Sequence, residues 1–318
     1  MIKTSKKNIR CGFIGGKQLG VNCLNHLLEN MIKPQFVLAN LDDDGEDNPL
    51  HQSLIKFSEK HNLNVMRGNL RSPKIIKSIG TYQPEIIFCI GGTRLIPPEI
   101  LSIPKLGCLN IHPSLLPKYR GRYSTAHALF NGETQTGVTL HWIDEGIDSG
   151  PIIIQSTIGI DPNDTAKSLY NKFVVVGENL FLEFLTLWLS ENPIPSNAQD
   201  NSLATYYPKG LPNNGEIDWT WPGKKIKNFI RSMLFDPYPP IKIAIEKKTL
   251  VIISENLLTN YPKTPQSDCE IDWAWPGEKI YSFIQSISAK PFPFIKFSIG
   301  HKNLVIVDSD FKNQQIRK

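Results

Sequence analysis

The chain has 318 residues, carries a formal net charge of +5 and is 40% hydrophobic, which is ordinary for a globular protein. This length allows one sizeable domain and a smaller one. The basic start, Met1 to Lys7, is not followed by an apolar stretch of signal-peptide length, and no apolar run is long enough to span a bilayer. We therefore expect a cytoplasmic protein with no membrane partner.

The cysteines and histidines do not indicate a metal site. The five cysteines are scattered along the chain, at Cys11, Cys23, Cys89, Cys108 and Cys269. No two of them have Cys-x-x-Cys spacing, and most lie in or beside apolar segments. This pattern favours buried free thiols in a reducing compartment over disulfides or zinc ligands. The histidines have no ligand spacing either, so we expect no metal.

The N-terminal half alternates short apolar strands with helices. A strand over residues 9–14 leads through a Gly15-Gly16 turn into a helix from Lys17 to Glu29. Further strands are predicted at residues 36–39, 64–66, 85–90 and 106–111. Further helices are predicted at residues 50–61 and 73–79. Strands that alternate with helices predict an α/β fold with a mostly parallel sheet.

The first strand-to-helix turn is not a dinucleotide motif. The middle glycine of Gly-x-Gly-x-x-Gly is replaced by Lys17, and Gln18 stands where a P-loop needs Ser or Thr. Backbone N–H groups at the start of this helix can still bind an anion.

The most informative segment is NIHPSLLP over residues 110–117, at the end of an apolar strand. Asn110 and His112 are two residues apart, so their side chains point to the same face of that strand. Open α/β sheets bind ligands at the carboxyl ends of their strands. An amide and an imidazole there can stabilise an oxyanion, and the imidazole can take a proton from an attacking amine.

A second motif, GIDSGP over residues 146–151, supplies a carboxylate between two β-branched strands, residues 137–142 and 152–158. Asp148 can orient an imidazole and stabilise its protonated form, and the flanking glycines allow close approach to a ligand. Taken alone, a histidine at a strand end or an aspartate in a turn is explained more simply by a local structural role than by catalysis. Together the two motifs favour acyl-transfer chemistry.

The C-terminal third contains an internal duplication. A helix from Thr165 to Leu189, with Asp164 as its N-cap, precedes a Pro- and Asn-rich linker. After it, EIDWTWPG at residues 216–223 recurs as EIDWAWPG at residues 270–277, and the offset of 54 continues to the strand residues 250–252 and 304–306. Each copy predicts a turn, a short helix and a β-hairpin. Because one such unit buries little core, we expect the copies to pack on each other or on a second subunit.

The whole excess of basic residues lies in residues 205–318. A nucleic-acid or phosphate ligand there is one interpretation. The lysines are interleaved with acids, however, which favours a solvated surface, and we expect no nucleic-acid partner.

The paired motifs NIHPSLLPKYRG and GIDSGP resemble the folate-dependent formyltransferase superfamily, and the resemblance covers residues 8–200. It implies a Rossmann-like catalytic domain that uses N10-formyltetrahydrofolate as the formyl donor. It also implies that Asn110, His112 and Asp148 form the catalytic triad.

The same resemblance implies where the ligands bind. The folate would lie along GGTRLIPP at residues 91–98 and along the loop after Trp142. The implied cofactor residues are Arg94, Leu95, Ile96, Ile143, Asp144, Gly146 and Asp148. Arg94 has an alternative role at a phosphate of the acceptor.

The blocks GRYSTAHALFNGE at residues 121–133 and HWIDEG at residues 141–146 resemble the nucleotide-sugar N-formyltransferases. They imply a dTDP-linked amino-dideoxyhexose as acceptor, with dTDP-4-amino-4,6-dideoxyglucose favoured, for lipopolysaccharide O-antigen synthesis. A diphosphate would meet Lys118, Arg120 or Arg122, and the sugar would meet Tyr123. The implied substrate residues are Gly16, Lys17, Lys118, Arg122 and Tyr123.

Other functions within and outside this superfamily remain open. The purine-pathway formyltransferase lacks so long a C-terminal extension. Methionyl-tRNA formyltransferase has about this length, but its C-terminal domain lacks the tandem Asp-Trp-x-Trp-Pro-Gly. A formyl-folate binder without catalysis would not need the complete triad.

We expect a catalytic domain at residues 1–192, a linker at 193–213 and two C-terminal repeats at 214–262 and 268–310. The first repeat keeps the Ile230-Arg231 pair of a similar family element, whereas the second has Ile284-Gln285. We therefore expect the second repeat to be an added structural element or one that forms a homodimer.

Overall fold

The computed structural model describes residues 9–190, 192–235, 238–245, 248–254, 271–288, 295–299 and 301–308. Cys269 lies outside them. The chain divides into two compact units. The first unit comprises Met1–Gly121, Thr136–Ile158 and Asn171–Tyr206, and the second comprises Arg122–Gln135, Gly159–Tyr170 and Tyr207–Lys318.

A seven-stranded sheet forms the centre of the first unit, in the order β3-β2-β1-β4-β5-β7-β8. Its strands are β1 (Cys11–Gly15), β2 (Phe36–Ala39), β3 (Val65–Met66), β4 (Ile86–Ile90), β5 (Gly107–His112), β7 (Gln135–Trp142) and β8 (Ile152–Gly159). The strands from β3 to β5 pair in parallel, and β7 runs antiparallel to β5. Helices flank this sheet, so the Rossmann-like, mostly parallel fold is confirmed.

Apolar side chains cover both faces of this sheet. The helices are α1 (Lys17–Glu29), α2 (Leu54–Lys60), α3 (Pro73–Tyr82), α4 (Pro98–Leu101) and α6 (Ala166–Leu189). On one face, the ring of Phe88 from β4 meets Phe181 and Trp188 of α6 edge to face. On the other, Ile79 of α3 and Ile100 of α4 join a buried cluster with strand residues. Burial of this apolar surface stabilises the sheet that carries the site.

Several predicted boundaries differ from the structure by a few residues, and two of these differences have a clear local cause or bear on the site. Helix α2 begins at Leu54 rather than at residue 50, because Ser53 caps it by accepting a hydrogen bond from the Lys56 amide, and Asp43 accepts one from the Leu54 amide. Strand β5 extends to His112, so this residue is part of the strand.

The second unit is built around a four-stranded antiparallel sheet in the order β10-β11-β13-β12. Its elements are α5 (Ser124–Phe130), α7 (Gly223–Met233), β10 (Ile241–Ile245), β11 (Lys248–Ser254), α8 (Gly277–Ser288), β12 (Ile295–Ile299) and β13 (Lys302–Asp308). The hairpin of each repeat supplies two strands, and β11 pairs with β13. Of the two expected arrangements, the repeats therefore adopt the one in which they pack on each other.

Two short strands, β6 (Arg120–Gly121) and β9 (Tyr206–Tyr207), form a further pair, and two 3-10 turns cover Asn201–Leu203 and Pro212–Gly215. The four described cysteines are buried and free, as expected. Burial raises the pKa of the Cys11 thiol to about 12. Within the described ranges, no helix has both the length and the apolar character that crossing a bilayer requires.

Candidate active site

The first unit brings Asn110, His112 and Asp148 together. Asn110 and His112 lie on β5, where they pair with His141 and Thr139 of β7. The loop after β7 returns to place the Oδ2 atom of Asp148 at 3.4 Å from the Nδ1 atom of His112. The His112 side chain is only 5% exposed, so this pair is poorly screened by water. The structure thus assembles the three groups that the sequence motifs single out.

The hydrogen bonds of His112 restrict its role. Its Nε2 atom lies 2.8 Å from the carbonyl oxygen of Tyr119, which can only accept, so Nε2 carries a proton and donates it there. Nδ1 is then the atom that can take up a further proton, beside the Asp148 carboxylate. The neutral ring of His112 cannot also donate to an oxyanion, because its one N–H, at Nε2, is engaged by Tyr119. Asn110 remains as the amide donor.

His141 is a site residue that the sequence reasoning did not single out. Its Nδ1 atom donates to the carbonyl oxygen of Trp142 at 2.8 Å, and its Nε2 atom accepts from the Nδ2 atom of Asn110 at 3.4 Å. Burial lowers the pKa of His141 to about 4, so the ring is neutral at pH 7 and its Nε2 lone pair is available. This contact orients the Asn110 amide and leaves its second N–H free of the imidazole.

Asp148 is held in an unusual backbone conformation. Its φ is 49°, in the left-handed region, which Asp tolerates better than most residues. Its Oδ2 atom also accepts a hydrogen bond of 2.8 Å from the Gly121 amide. A Cβ at Gly150 would lie 2.0 Å from the carbonyl oxygen of Trp142, so only glycine lets the loop pass this close to β7. The loop is thus shaped to aim one carboxylate at His112.

Gln199 supports the Asp148 loop and lies in the segment that is predicted to be a linker. Its Nε2 atom donates to the carbonyl oxygens of Asp148 at 2.9 Å and Gly150 at 2.7 Å. Its Oε1 atom accepts from the Nε and Nη2 atoms of Arg120, at 3.0 and 2.7 Å. Residues around Gln199 are therefore part of the scaffold of the site, and they do not form a free tether.

Arg120 is fully buried, and its guanidinium also donates to Asn201 and Tyr206. Four of its five N–H groups are engaged and none of the residue is exposed, so the structure argues against its predicted role at a diphosphate. Lys118 and Arg122, in contrast, have exposed side chains. Sequence spacing could not separate the three, because the difference arises from partners about eighty residues away in the chain.

The Gly15-Gly16 turn and the segment after β4 meet where the strand order reverses, between β1 and β4. A Cβ at Gly91 would lie 2.1 Å from the carbonyl oxygen of Gly16. The Nδ2 atom of Asn40 donates to the Gly91 carbonyl, and its Oδ1 atom accepts from the Thr93 amide. Such a reversal leaves a crevice at the carboxyl ends of the strands. The predicted residues Gly16 and Lys17 therefore lie beside the segment that contains Arg94.

Two of the residues predicted to hold the folate pack on an apolar cluster. Ile96 and Ile143 are partly buried and pack on one cluster with Cys89 and Cys108. Arg94 and Leu95 are exposed, Leu95 by 60%. Partly buried apolar side chains next to exposed residues fit a flat heteroaromatic ring with polar edges.

Asp144 and Gly146 belong to the exposed turn of the same loop. The Oδ1 atom of Asp144 accepts from the Gly146 amide at 3.0 Å and from the Ser149 hydroxyl at 2.8 Å. Asp144 thus shapes the turn with its own side chain, while residues 144–147 stay exposed.

Arg122 and Tyr123 belong to the second unit. There the ring of Tyr123, whose backbone is left-handed at a φ of 56°, meets Tyr238 edge to face at 5.5 Å. Burial raises the pKa of the Tyr238 hydroxyl well above its ordinary value. Tyr123 is partly exposed, which leaves its hydroxyl edge available as a ligand contact.

Comparison with known proteins agrees with this chemistry. A family model described as formyl transferase matches residues 33–185. Methionyl-tRNA formyltransferase of Geotalea uraniireducens is 35% identical over 62% of this chain and 62% of its own length. That of Geobacter sulfurreducens is 31% identical over 76% of both chains. The chain thus spans less than two thirds of the first of these relatives.

Solved structures share the fold. WlaRD, a sugar 3N-formyl transferase crystallised with dTDP and 5-N-formyl-THF, has a TM-score of 0.64 at 23% identity and covers 95% of this chain and 98% of its own. An N-formyltransferase from Helicobacter canadensis, in complex with folinic acid and dTDP-3-aminofucose, has a TM-score of 0.63 at 24% identity and covers 95% and 100%. A 4-N formyltransferase from Francisella tularensis has a TM-score of 0.60 at 20% identity and covers 75% and 93%. The family match and the relative that is aligned over three quarters of both chains show that this chain belongs to the formyltransferase family.

Proposed function

We propose that this protein transfers a formyl group from N10-formyltetrahydrofolate to the amine of a dTDP-linked amino-dideoxy sugar. The observation that carries the proposal is the convergence of the Asn110 amide, the His112 imidazole and the Asp148 carboxylate in the first unit. These are the groups that an attack by an amine on a formyl carbon requires. Membership of the formyltransferase family supports the same reaction class.

The residues that would hold the donor are Ile96 and Ile143 beneath the ring and the backbone of residues 144–147 at its edge. Bound there, N10-formyltetrahydrofolate supplies the formyl carbon and a nitrogen leaving group. The Asn110 amide donates to the formyl oxygen as negative charge develops on it. Loss of one such donor costs about 2.7–4 kcal/mol of transition-state stabilisation.

The His112–Asp148 pair transfers the proton that the amine loses. The neutral amine forms a bond to the formyl carbon, the bond from that carbon to the folate nitrogen breaks, and one amine proton must reach the leaving nitrogen. His112 accepts this proton at Nδ1 and then gives it up. Asp148, at 3.4 Å, stabilises the imidazolium in between, and the Nε2–H bond to Tyr119 fixes the ring.

For the acceptor we propose dTDP-4-amino-4,6-dideoxyglucose, in lipopolysaccharide O-antigen synthesis. The sequence blocks around Tyr123 and Trp142 support a nucleotide sugar. Two of the solved relatives are described with 3-amino chemistry and one with 4-N chemistry. Exposed Lys118 and Arg122 are the candidate cations for the diphosphate, with Tyr123 at the sugar.

A second candidate acceptor is methionyl-tRNA. Several relatives at 31–35% identity are methionyl-tRNA formyltransferases, and the basic excess of residues 205–318 is compatible with RNA.

The test is incubation with N10-formyltetrahydrofolate and separate acceptors: dTDP-3-amino and dTDP-4-amino sugars, their UDP counterparts and initiator methionyl-tRNA. Mass spectrometry then detects the added formyl group. Formylation of the dTDP-4-amino sugar at the highest kcat/KM supports the proposal. Formylation of tRNA alone, with activity that falls steeply as salt is added, would replace it with the second candidate.

A further inference from the structure

The two tandem repeats of the second unit contact each other reciprocally. The Gly223 amide at the start of α7 donates to the carbonyl oxygen of Trp275 at 3.0 Å, and the Gly277 amide at the start of α8 donates to that of Trp221 at 2.9 Å. Gly223 and Gly277 are 54 residues apart, as are Trp221 and Trp275. Each repeat therefore gives its partner the same hydrogen bond that it receives.

The sheet has the same symmetry. Strands β11 and β13 are equivalent in the two repeats and pair antiparallel, with Ile252 opposite Ile306. These residues are again 54 apart. At the centre of the strand pairing, a residue of one repeat therefore faces the equivalent residue of the other repeat. Pro222 and Pro276 form another antiparallel bridge between counterparts. Both contacts lie on one local two-fold axis.

A small apolar cavity between the repeats confirms this axis. Every side chain that lines it has its counterpart at an offset of 54 on the opposite wall, for example Trp219 with Trp273 and Ile226 with Ile280. The surrounding core likewise draws buried residues from both copies. The surface of one repeat is therefore complementary to the same surface of the other.

An interface in which residue i meets residue j and residue j meets residue i is the signature of a two-fold homodimer. Here the two copies belong to one chain. We propose that the first repeat carries a self-complementary dimer surface and that the second repeat occupies this surface within the same molecule. The full chain is then a monomer, which replaces the homodimer expected from the sequence.

The first test is the mass of the full-length protein in solution, measured by sedimentation equilibrium over a wide range of concentrations. We expect the mass of one chain, 35.9 kDa, throughout. A mass of two chains that persists on dilution would overturn the proposal.

A cross-link separates pairing within a chain from an exchange of repeats between chains. Val251 and Val307 lie directly opposite each other on β11 and β13, close enough for a disulfide. The double variant Val251→Cys/Val307→Cys is made in a Cys269→Ser background and oxidised, with each single variant as control. We expect the double variant to lose both thiols and to run as one chain on a non-reducing gel. Covalent dimers formed by the double variant would show that the surface is filled by a second molecule.

Discussion

The Nε2 atom of His141 lies 3.4 Å from the Nδ2 atom of Asn110, and the two residues are direct partners across β5 and β7. Because the Nδ1 atom of His141 donates to a backbone carbonyl, its Nε2 atom must accept as long as the ring is neutral. Protonation of His141 would turn this acceptor into a donor that faces an amide N–H. The orientation of Asn110 therefore depends on the charge of a buried histidine.

This dependence predicts a pH effect on stability. The pKa of His141 is about 4 in the native protein, against 6.5 for an ordinary histidine. Between these values the unfolded chain binds a proton that the native chain does not, so the free energy of unfolding falls as the pH falls through this window. Between pH 6.5 and 4, we expect the free energy of unfolding to fall less steeply in the variant His141→Gln than in the unmodified protein. The slope against pH should differ by the equivalent of up to one bound proton. Urea unfolding at a series of pH values measures it.

The variant His141→Gln keeps a hydrogen-bond acceptor for the Asn110 amide, whereas His141→Leu does not. We expect His141→Leu to lower kcat by about tenfold, on the order of one lost neutral hydrogen bond, with KM for the acceptor little changed. Equal kcat values for the Leu and Gln variants would remove the positioning role assigned to His141.

The triad itself gives the largest expected losses. Asn110→Ala removes the oxyanion donor and should lower kcat by about 10²–10³. His112→Asn and Asp148→Asn remove the proton acceptor and its carboxylate, and each should cost about 10²–10⁴. Single-turnover formylation rates measure the loss, with circular dichroism to confirm the fold. Near-normal rates in any two of these variants would end the assignment.

Gln199 is expected to act through Asp148. Without its two donated bonds, the left-handed Asp148 loop loses its support, so Gln199→Ala should lower kcat by about tenfold or more. Asn201→Ala is the matched control, since Asn201 accepts from Arg120 and not from any group of the Asp148 loop. Rescue by Gln199→Glu is not expected, because a carboxylate has no N–H to donate. A loss equal in both alanine variants would point to Arg120 packing instead.

The candidate catalytic side chains were within reach of sequence reasoning because their geometry is local. Asn110 and His112 share a strand face by the two-residue repeat, and the Asp148 loop is marked by its glycines. The roles of His141 and Gln199 depend on register and on contacts far along the chain. The alternation of Thr139 and His141 on β7 is a usable signal, but only once β7 is known to pair with β5. Gln199 carries no such signal.

The same limit explains the error at Arg120. Lys118, Arg120 and Arg122 are alternating basic residues, and nothing local shows that the middle one turns inward. We expect Lys118→Ala and Arg122→Ala each to raise the KM for a nucleotide sugar by about three- to tenfold, with kcat little changed, as removal of uniform binding does. Steady-state kinetics at two salt concentrations measure this, since exposed charges are screened.

Arg120→Ala should behave differently. It leaves the Gln199 side-chain oxygen without its charged donors, and loss of a hydrogen bond from a charged group costs about 1.5–3 kcal/mol of stability. We therefore expect a lower Tm for this variant, with a KM effect only as a consequence. A raised KM for the nucleotide sugar at unchanged Tm would indicate that Arg120 contacts this substrate after all.

The duplication makes a last, symmetric prediction. A Cβ at Gly223 would lie 2.4 Å from the carbonyl oxygen of Trp275, and one at Gly277 would lie 2.5 Å from that of Trp221. Both obstacles are backbone, so neither can swing aside. Gly223→Ala and Gly277→Ala should each lower the free energy of unfolding by about 1–3 kcal/mol, and by similar amounts.

Gly80→Ala is the control for these two variants, because a Cβ at this position in α3 meets nothing within 4 Å. It should raise stability by up to about 1 kcal/mol, since alanine favours the helix. Thermal unfolding of the three variants gives the comparison. If the two repeats unfold as one unit, the Gly223→Ala and Gly277→Ala transitions remain single and shift together. A shift in only one of them would mean that the contact between repeats is not reciprocal in solution.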